Sequence, residues 1–175
     1  MIPLEEYATV PQDANLFEAV LALEKAQMAF DPSKHKHLAI LVLDKEKNVV
    51  GKLVMFDILM ALEPKYGELE ATGMLSRSGY SPDMIKSMFK DHFLWSEPFQ
   101  FVCNKATKLK VRDFMEAPES GVYIDENDNL GEATHQLVLC RYQSLLVTRD
   151  DKVVGILRLT DIFTQICEKI KTCEL

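Results

Sequence analysis

The sequence has few of the features that mark secreted, membrane-spanning or zinc-stapled proteins. Its four cysteines, Cys103, Cys140, Cys167 and Cys173, include no Cys-x-x-Cys pair, which suits reduced thiols better than a disulfide or zinc framework. The first residues lack the basic and apolar stretches of a signal peptide. The longest apolar run, residues 38–43, is far shorter than the roughly 20 residues that span a bilayer. We therefore expect a cytoplasmic protein without a membrane partner.

Positive charge is also in short supply. The chain has 27 acidic and 20 basic residues, a formal charge of -7, which repels polyanions over the whole surface. We expect no nucleic-acid partner. A small anionic ligand needs only a local cluster of cations, and Lys52, Arg141 and Arg158 are available. The alternative is that these are solvated surface charges, Arg141 above all.

Motifs of the common catalytic classes are missing as well. There is no Gly-x-Ser-x-Gly, no phosphate loop, no His-Glu-x-x-His and no carboxylate pair spaced for acid–base work. His35 and His37 could bind a metal in principle, but they lie in a lysine-rich polar segment without nearby carboxylate or thiol ligands. We interpret that segment as a solvated loop, and we expect neither enzymatic activity nor a metal site.

An internal repeat is the most informative feature that is present. Residues 49–58 read Val-Val-Gly-Lys-Leu-Val-Met-Phe-Asp-Ile, and residues 153–162 read Val-Val-Gly-Ile-Leu-Arg-Leu-Thr-Asp-Ile. Upstream, residues 13–19 match residues 127–133 at an offset of 114 instead of 104, so repeat one carries ten extra residues, which we place in the polar loop at residues 30–37. Duplicated units usually pack together and form binding sites where they meet.

Each repeat is predicted to fold in the order strand, helix, strand, turn, strand, helix. In repeat one, apolar spacing predicts a helix from Ala14 to Phe30 with Asp13 as its N-cap, and then a hairpin over residues 38–54. In repeat two, it predicts a helix from Leu130 to about Arg141, a hairpin over residues 144–157 and a final helix from Asp161. With 47% apolar residues, a chain of 175 residues can bury one core, or two small cores that share an interface.

The segment between the repeats has no match in the other half. Ser81 followed by Pro82 is a strong helix start, and residues 96–98 predict a second one. The Met and aromatic stripe over residues 84–93 is interpreted as core packing, together with Trp95, the only tryptophan. We predict three parts: residues 1–62 as repeat one, 63–107 as a helical insertion and 108–175 as repeat two.

The repeats resemble CBS domains (cystathionine beta-synthase domains), and two of them resemble the tandem CBS module. The resemblance rests on the duplicated Val-Gly strand with its downstream Asp-Ile, on the preceding Asp-x-x-Leu-x-x-Ala, and on residues 111–115, Val-Arg-Asp-Phe-Met, which are similar to the Val-x-Asp-x-Met that opens such domains. It implies an α/β (α+β) fold of two β-α-β-β-α repeats with pseudo-twofold symmetry, plus the insertion.

The resemblance also implies a regulatory module with two clefts between the repeats, where family members often bind AMP, ADP, ATP or S-adenosylmethionine. Asp57 and Asp161 each open the last helix of a repeat, as the family's ribose-binding aspartate does. The alternative is that each carboxylate only caps its helix. No cofactor is required in this interpretation.

The chain departs from the family at one position in each repeat. Nucleotide-binding members usually carry Ser or Thr three residues before the aspartate, whereas Val54 and Arg158 stand here. Because a guanidinium can pair with phosphate, the cleft of Arg158 and Asp161 is the preferred candidate. Asp57, Lys52 and Thr9 complete the predicted ligand site.

The sequence therefore supports two hypotheses. The first is an adenine-nucleotide sensor with no attached effector domain, which signals to a protein partner that the sequence does not identify. The second is a scaffold or oligomerisation module that has kept the fold and lost the ligand. In either case the apolar stripes after Asp57 (Ile58, Leu59, Leu62) and after Asp161 (Ile162, Phe163, Ile166, Ile170) predict a homodimer, unless the insertion covers a stripe instead.

Overall fold

The computed structural model describes residues 1–29, 38–71, 80–96, 101–118 and 120–172. The predicted loop with His35 and His37, most of the second helix start of the insertion, and Cys173 lie outside these ranges. Cys103, Cys140 and Cys167 lie in helices and are free thiols. Within the described ranges, no helix has the length and apolar content to cross a bilayer, and His, Cys, Asp and Glu form no group of three that could hold a metal ion.

Both repeats fold in the predicted order. Repeat one contains β2 (Thr9–Pro11), α1 (Leu16–Ala29), β3 (Ala39–Leu43), β4 (Val49–Val54) and α2 (Met55–Leu62), and repeat two contains β5 (Tyr123–Asp125), α6 (Leu130–Cys140), β6 (Ser144–Arg149), β7 (Lys152–Arg158) and α7 (Leu159–Lys171). In each, the first strand is parallel to the second and the last two form an antiparallel hairpin. The mixed α+β fold is therefore confirmed.

The register of the two hairpins shows where the ten extra residues of repeat one lie. Val42 pairs with Gly51 in repeat one, and Val147 pairs with Gly155 in repeat two. The offset is thus 105 for the first hairpin strand and 104 for the second, so one of the ten extra residues lies in the hairpin turn and only nine precede the hairpin.

The two repeats exchange backbone segments. A short N-terminal strand, β1 (Ile2–Pro3), pairs with β7 of repeat two, so that the sheet order there is β1-β7-β6-β5. Reciprocally, Lys52 of β4 and Glu116, which precedes β5 of repeat two, exchange two backbone hydrogen bonds of 2.9 and 3.0 Å. Each sheet is therefore extended by a segment from the start of the other repeat.

Three clusters of buried side chains form the core. One belongs to repeat one and one to repeat two. The third lies between the repeats, and its buried members are Ile2, Tyr7, Ala39, Leu41, Val122, Leu146 and Ile156. We call this third cluster the seam. It arises because residues alternate between the two faces of a strand, so each sheet has a second apolar face that needs cover.

The start of α1 differs from the prediction. Asn15, not Asp13, is the capping residue: its side chain accepts the Glu18 N–H at 2.9 Å, and the Glu18 carboxylate accepts the Asn15 N–H at 2.8 Å. Asp13 instead pairs with Arg112 at 2.7 Å. Both residue types are good helix caps, and the reciprocal bond from Glu18, which only Asn15 can complete at this spacing, decides between them.

Three helices lie between the elements of the two repeats: α3 (Lys65–Ala71), α4 (Pro82–Asp91) and α5 (Val102–Ala106). Ser81 caps α4 as predicted, because its side chain accepts the Met84 N–H at 3.2 Å. Trp95 packs against the core of repeat one, its indole N–H donates to the Tyr66 hydroxyl at 3.0 Å, and its backbone N–H donates to the buried Glu63 carboxylate at 2.6 Å.

The core interpretation of the insertion's apolar stripe is wrong. The side chains of Met84, Ile85, Phe89 and Phe93 are all exposed. Among the described residues, none of the three core clusters includes a residue of α4. Helical periodicity identified an apolar face correctly, but periodicity does not say whether another element covers that face.

The repeated glycines permit the segment exchange, and they are expected to respond differently to substitution. A Cβ on Gly155 would lie 2.6 Å from the backbone oxygen of Ile2, whereas a Cβ on Gly51 would overlap the Met115 side chain, whose sulfur end can rotate away. We expect Gly155→Ala to destabilise the protein by about 1–3 kcal/mol, as overpacking does, and Gly51→Ala to cost less. Urea denaturation of both variants measures the difference, and a larger loss for Gly51→Ala would contradict the expectation.

Candidate functional site

The two predicted aspartates occupy equivalent positions at the seam side of each hairpin. β4 ends at Val54 and α2 begins at Met55, while β7 ends at Arg158 and α7 begins at Leu159. The Asp57 carboxylate accepts the Val54 N–H at 2.7 Å, and the Asp161 carboxylate accepts the Arg158 N–H at 3.2 Å. Both aspartates thus cap a helix whose N-cap side chain cannot accept a hydrogen bond. A carboxylate has further lone pairs, so capping leaves room for other donors.

At Asp161 those further lone pairs are already engaged by Arg158. The guanidinium Nε donates to both carboxylate oxygens at 3.1 and 3.0 Å, and Nη2 donates to Oδ1 at 2.5 Å. The Arg158 side chain is only 8% exposed. Burial alone would raise the pKa of Asp161, but the hydrogen bonds and charge of Arg158 outweigh burial and lower that pKa. The ion pair is therefore fully formed at neutral pH.

Repeat one contributes a tyrosine to the same place. Tyr7 lies in the seam within electrostatic range of Arg158 and Asp161, and burial raises the pKa of its hydroxyl to about 12. Thr9 follows on β2. Because Ala8 and Val10 pack into the core of repeat one, strand alternation places Thr9 on the side of Tyr7. Thr9 thus shares a face with Tyr7, and it is Tyr7 that lies within electrostatic range of Arg158 and Asp161.

Lys52 and Asp57 form a different arrangement in the other cleft. Lys52 is 8% exposed, and its ammonium lies 6.0 Å from the centre of the Tyr142 ring, which belongs to repeat two. Within the ranges that the structure describes, the ammonium makes no hydrogen bond or ion pair. Asp57 and Glu116 lie within electrostatic range but not in contact.

The titration behaviour of this cleft follows from burial. Burial lowers the pKa of Lys52, against the opposing effect of the Glu116 and Asp57 carboxylates. Burial also raises the pKa of Asp57, although its hydrogen bond from the Val54 backbone lowers it. Both shifts disfavour the charged form, which is the pattern of groups that have lost water without gaining an adequate partner. An anion near Lys52 and hydrogen-bond donors near Asp57 would relieve both.

An open cavity of about 500 Å³ lies near Lys52, because two of its lining residues are neighbours of Lys52: Glu116 bonds to the Lys52 backbone, and the Tyr142 ring lies 6.0 Å from the ammonium. Its lining includes Glu116, Ala117, Pro118, Val122 and Tyr142. The volume falls within the roughly 300–1,000 Å³ of small-molecule sites. Sequence reasoning missed Glu116 and Tyr142 because they lie outside the repeated motifs. The segment exchange brings Glu116 to β4, and the packing of the two repeats brings Tyr142 to Lys52.

A second cavity, of about 680 Å³, lies between the two hairpin turns, residues 46–49 and 151–153, with Tyr123 and Thr148. It is larger, but its charged groups, such as Lys47 and Lys152, are exposed to solvent, and it contains none of the predicted site residues. Exposed charges gain little from binding an ion. The cleft of Lys52 and Asp57 is therefore the stronger candidate site.

Comparison with known protein families finds a match in repeat two. The CBS domain family model matches residues 111–168. No match was found among curated proteins.

Solved structures with similar folds cover nearly the whole chain. A CBS domain-containing protein of unknown function from Bacillus anthracis has a TM-score of 0.61 at 19% identity, with 97% of this chain and 90% of that chain covered. The CBS domain of a CBS domain-containing membrane protein from Sphaerobacter thermophilus has a TM-score of 0.58 at 20% identity, covering 94% and 87%.

The protein CBSX2, solved in complex with AMP, has a TM-score of 0.57 at 19% identity, covering 98% of this chain and 94% of that chain. At sequence identities this low, the matches show that the fold is shared and do not show which ligand this chain binds. Residues 111–168 match the CBS domain family, and the chain as a whole shares the fold of CBS-domain proteins.

Proposed function

We propose that this chain is a regulatory module that binds a phosphorylated adenosine ligand in the cleft of Lys52 and Asp57 and signals through a protein partner. The observation that carries the proposal is the largely buried Lys52 side chain, whose ammonium has no ion pair among the described residues and lies beside a cavity. The role is one of sensing and not of catalysis. The three-part division at residues 62 and 107 is part of the same proposal.

A lysine at position 52 lowers the stability of the fold unless a ligand pairs with its charge. A buried charge without a partner costs stability, and an apolar residue of similar volume would avoid that cost. Repeat two has Ile156 at the equivalent position, so the fold itself does not require a lysine there. A phosphate would supply the missing anion.

The remaining groups suit a nucleoside. The Asp57 carboxylate can accept ribose hydroxyls with the lone pairs that capping leaves available. The Tyr142 ring offers a face for an adenine. CBSX2, which has a similar fold, was solved with AMP, and this supports the choice of nucleotide class.

Titration calorimetry with AMP, ATP, S-adenosylmethionine and adenosine tests the proposal. Lys52→Met keeps the side-chain length and removes the charge, so affinity for AMP and ATP should fall about tenfold to a hundredfold, the worth of a charge-assisted contact. Adenosine, which has no phosphate, should bind Lys52→Met and wild type equally. Asp57→Asn should weaken all ligands that carry the ribose hydroxyls.

Lys25→Met is the matched control, because Lys25 is exposed on α1 and the substitution is the same. Its affinities should equal those of wild type. The Lys52→Met variant should also melt no earlier than wild type, which separates loss of the contact from loss of the fold. Equal AMP affinities for Lys52→Met and Lys25→Met would refute the phosphate role of Lys52.

The scaffold hypothesis is the second candidate. It is favoured by Val54 and Arg158, neither of which offers the hydroxyl that nucleotide-binding members usually carry. Absence of binding heat for all four ligands in wild type would select it. Both hypotheses include a homodimer, which we propose to form through exposed apolar side chains of α2 and α7, namely Phe56, Leu59, Phe163, Ile166 and Ile170.

The proposed dimer surface contains fewer residues than the apolar stripes identified in the sequence. Leu62 and Ile162 are buried within the chain, and Ile58 packs against the core of repeat one. Of the side chains that remain exposed, Leu59 and Phe163 lie at equivalent positions of the two repeats, and a second copy can present the same surface in return. A self-complementary surface of this kind fits another copy of the chain better than an unrelated partner.

A further inference from the structure

Arg158 distinguishes the two clefts of this chain. In repeat one the corresponding residue is Val54, whose side chain makes no polar contact, so the outward lone pairs of Asp57 remain open to donors. In repeat two a guanidinium stands at that position. It lies against the carboxylate of Asp161, the group that would bind a ribose in the second cleft.

The geometry leaves little room for a competing donor at Asp161. Two guanidinium N–H groups, one of them shared between both oxygens, and one backbone N–H converge on the carboxylate. A carboxylate offers about four lone-pair sites, so these three donors occupy most of them. The fork of an arginine presents parallel donors at fixed spacing, and two neighbouring hydroxyls would have to displace them.

Displacement is opposed by burial. The Arg158 side chain is 8% exposed and the Asp161 side chain 20%. A ligand that took over the carboxylate would break these charge-assisted hydrogen bonds of a buried guanidinium, which is costly in a site of low dielectric constant. A weakly held metabolite cannot offset this cost.

We infer that Arg158 permanently occupies the second cleft as an internal partner of Asp161, so that the chain binds one adenosine-type ligand although its repeats offer two positions. The inference rests on the proposed function only for the occupancy of the first cleft. Arg158 is thus a determinant of stoichiometry and not a ligand-binding residue, and replacing it with the hydroxyl residue that the family usually carries should open a second site.

Calorimetric titration with AMP and with adenosine tests this on four chains: wild type, Arg158→Thr, Asp57→Asn and the double variant. We expect one ligand per chain for wild type, two for Arg158→Thr, one more weakly bound ligand for Asp57→Asn, and one tight and one weak ligand for the double variant. Two ligands in wild type, or no added ligand in Arg158→Thr relative to wild type, would overturn the inference.

The design separates this inference from the proposed function. If wild type binds nothing and Arg158→Thr binds one ligand, the proposed function fails and the inference stands. If Arg158→Thr does not fold, the inference is tested on the wild-type protein by following the NMR signal of the Arg158 Nε–H during ligand titration. That signal should stay within its linewidth when AMP or adenosine is added at saturating concentration, and a shift that follows the binding curve would overturn the inference.

Discussion

Residues 1–66 and 108–175, expressed as separate fragments, should each fail to unfold cooperatively. The first fragment would lose the backbone partner Glu116, and the second would lose β1, which completes its sheet. Each would also expose its half of the seam. Burying a large apolar side chain contributes about 1.5–3 kcal/mol, so the five large aliphatic residues of the seam contribute roughly 10 kcal/mol, a sum comparable to the roughly 5–15 kcal/mol stability of a whole domain.

Circular dichroism during thermal and urea unfolding measures this, with the full chain as the reference. The full chain should unfold in one sharp transition, and each fragment should show a broad, non-cooperative change. An equimolar mixture of fragments that regains a sharp transition would further support the seam. Sharp unfolding of both isolated fragments would instead mean that the repeats are autonomous domains.

Phe163→Asp should convert the proposed homodimer to a monomer. Phe163 is 64% exposed on α7 and is one of the two aromatic side chains, with Phe56, that we assign to the dimer surface. A central aromatic residue typically contributes 2 kcal/mol or more to an interface, and a carboxylate buried in its place adds a desolvation cost, so the dissociation constant should rise about a hundredfold or more.

Sedimentation velocity at high micromolar concentration reports the change as a shift from a dimer to a species near 20.0 kDa. Phe93→Asp is the matched control, because Phe93 is 70% exposed but belongs to the insertion. A wild-type monomer would show that there is no dimer. Dissociation by Phe93→Asp but not by Phe163→Asp would place the interface on the insertion.

The insertion shows where prediction from a sequence pattern stops. Ser81 and Pro82 identified the start of α4 because capping depends on neighbouring backbone atoms only. The apolar face of α4 was equally visible in the pattern, yet it is exposed, since cover depends on other elements. The same distinction explains the start of α1. Asp13 and Asn15 are both capping residue types, and Asp13 is engaged by Arg112, a residue far away in the sequence.

The candidate site divides in the same way. The repeated motif located Asp57, Asp161, Lys52 and Arg158, and the structure places them at equivalent positions beside the seam. The sequence favoured the cleft of Arg158, because a guanidinium can bind a phosphate. In the fold, that guanidinium pairs with the carboxylate three residues away, and both side chains are largely buried. Our proposal therefore moves to the cleft of Lys52, and titration of the variants tests it.

By itself, the sequence determined the repeat, the order of elements within it, and the residue types at the start of each final helix, because these depend on local spacing and periodicity. Only the tertiary structure decided which segment completes which sheet, that Glu116 and Tyr142 face Lys52, and that one aspartate is engaged while the other is not. These features join residues far apart in the chain. Their burial and distances follow from packing, which sets the cost of a charge and the choice of its partner.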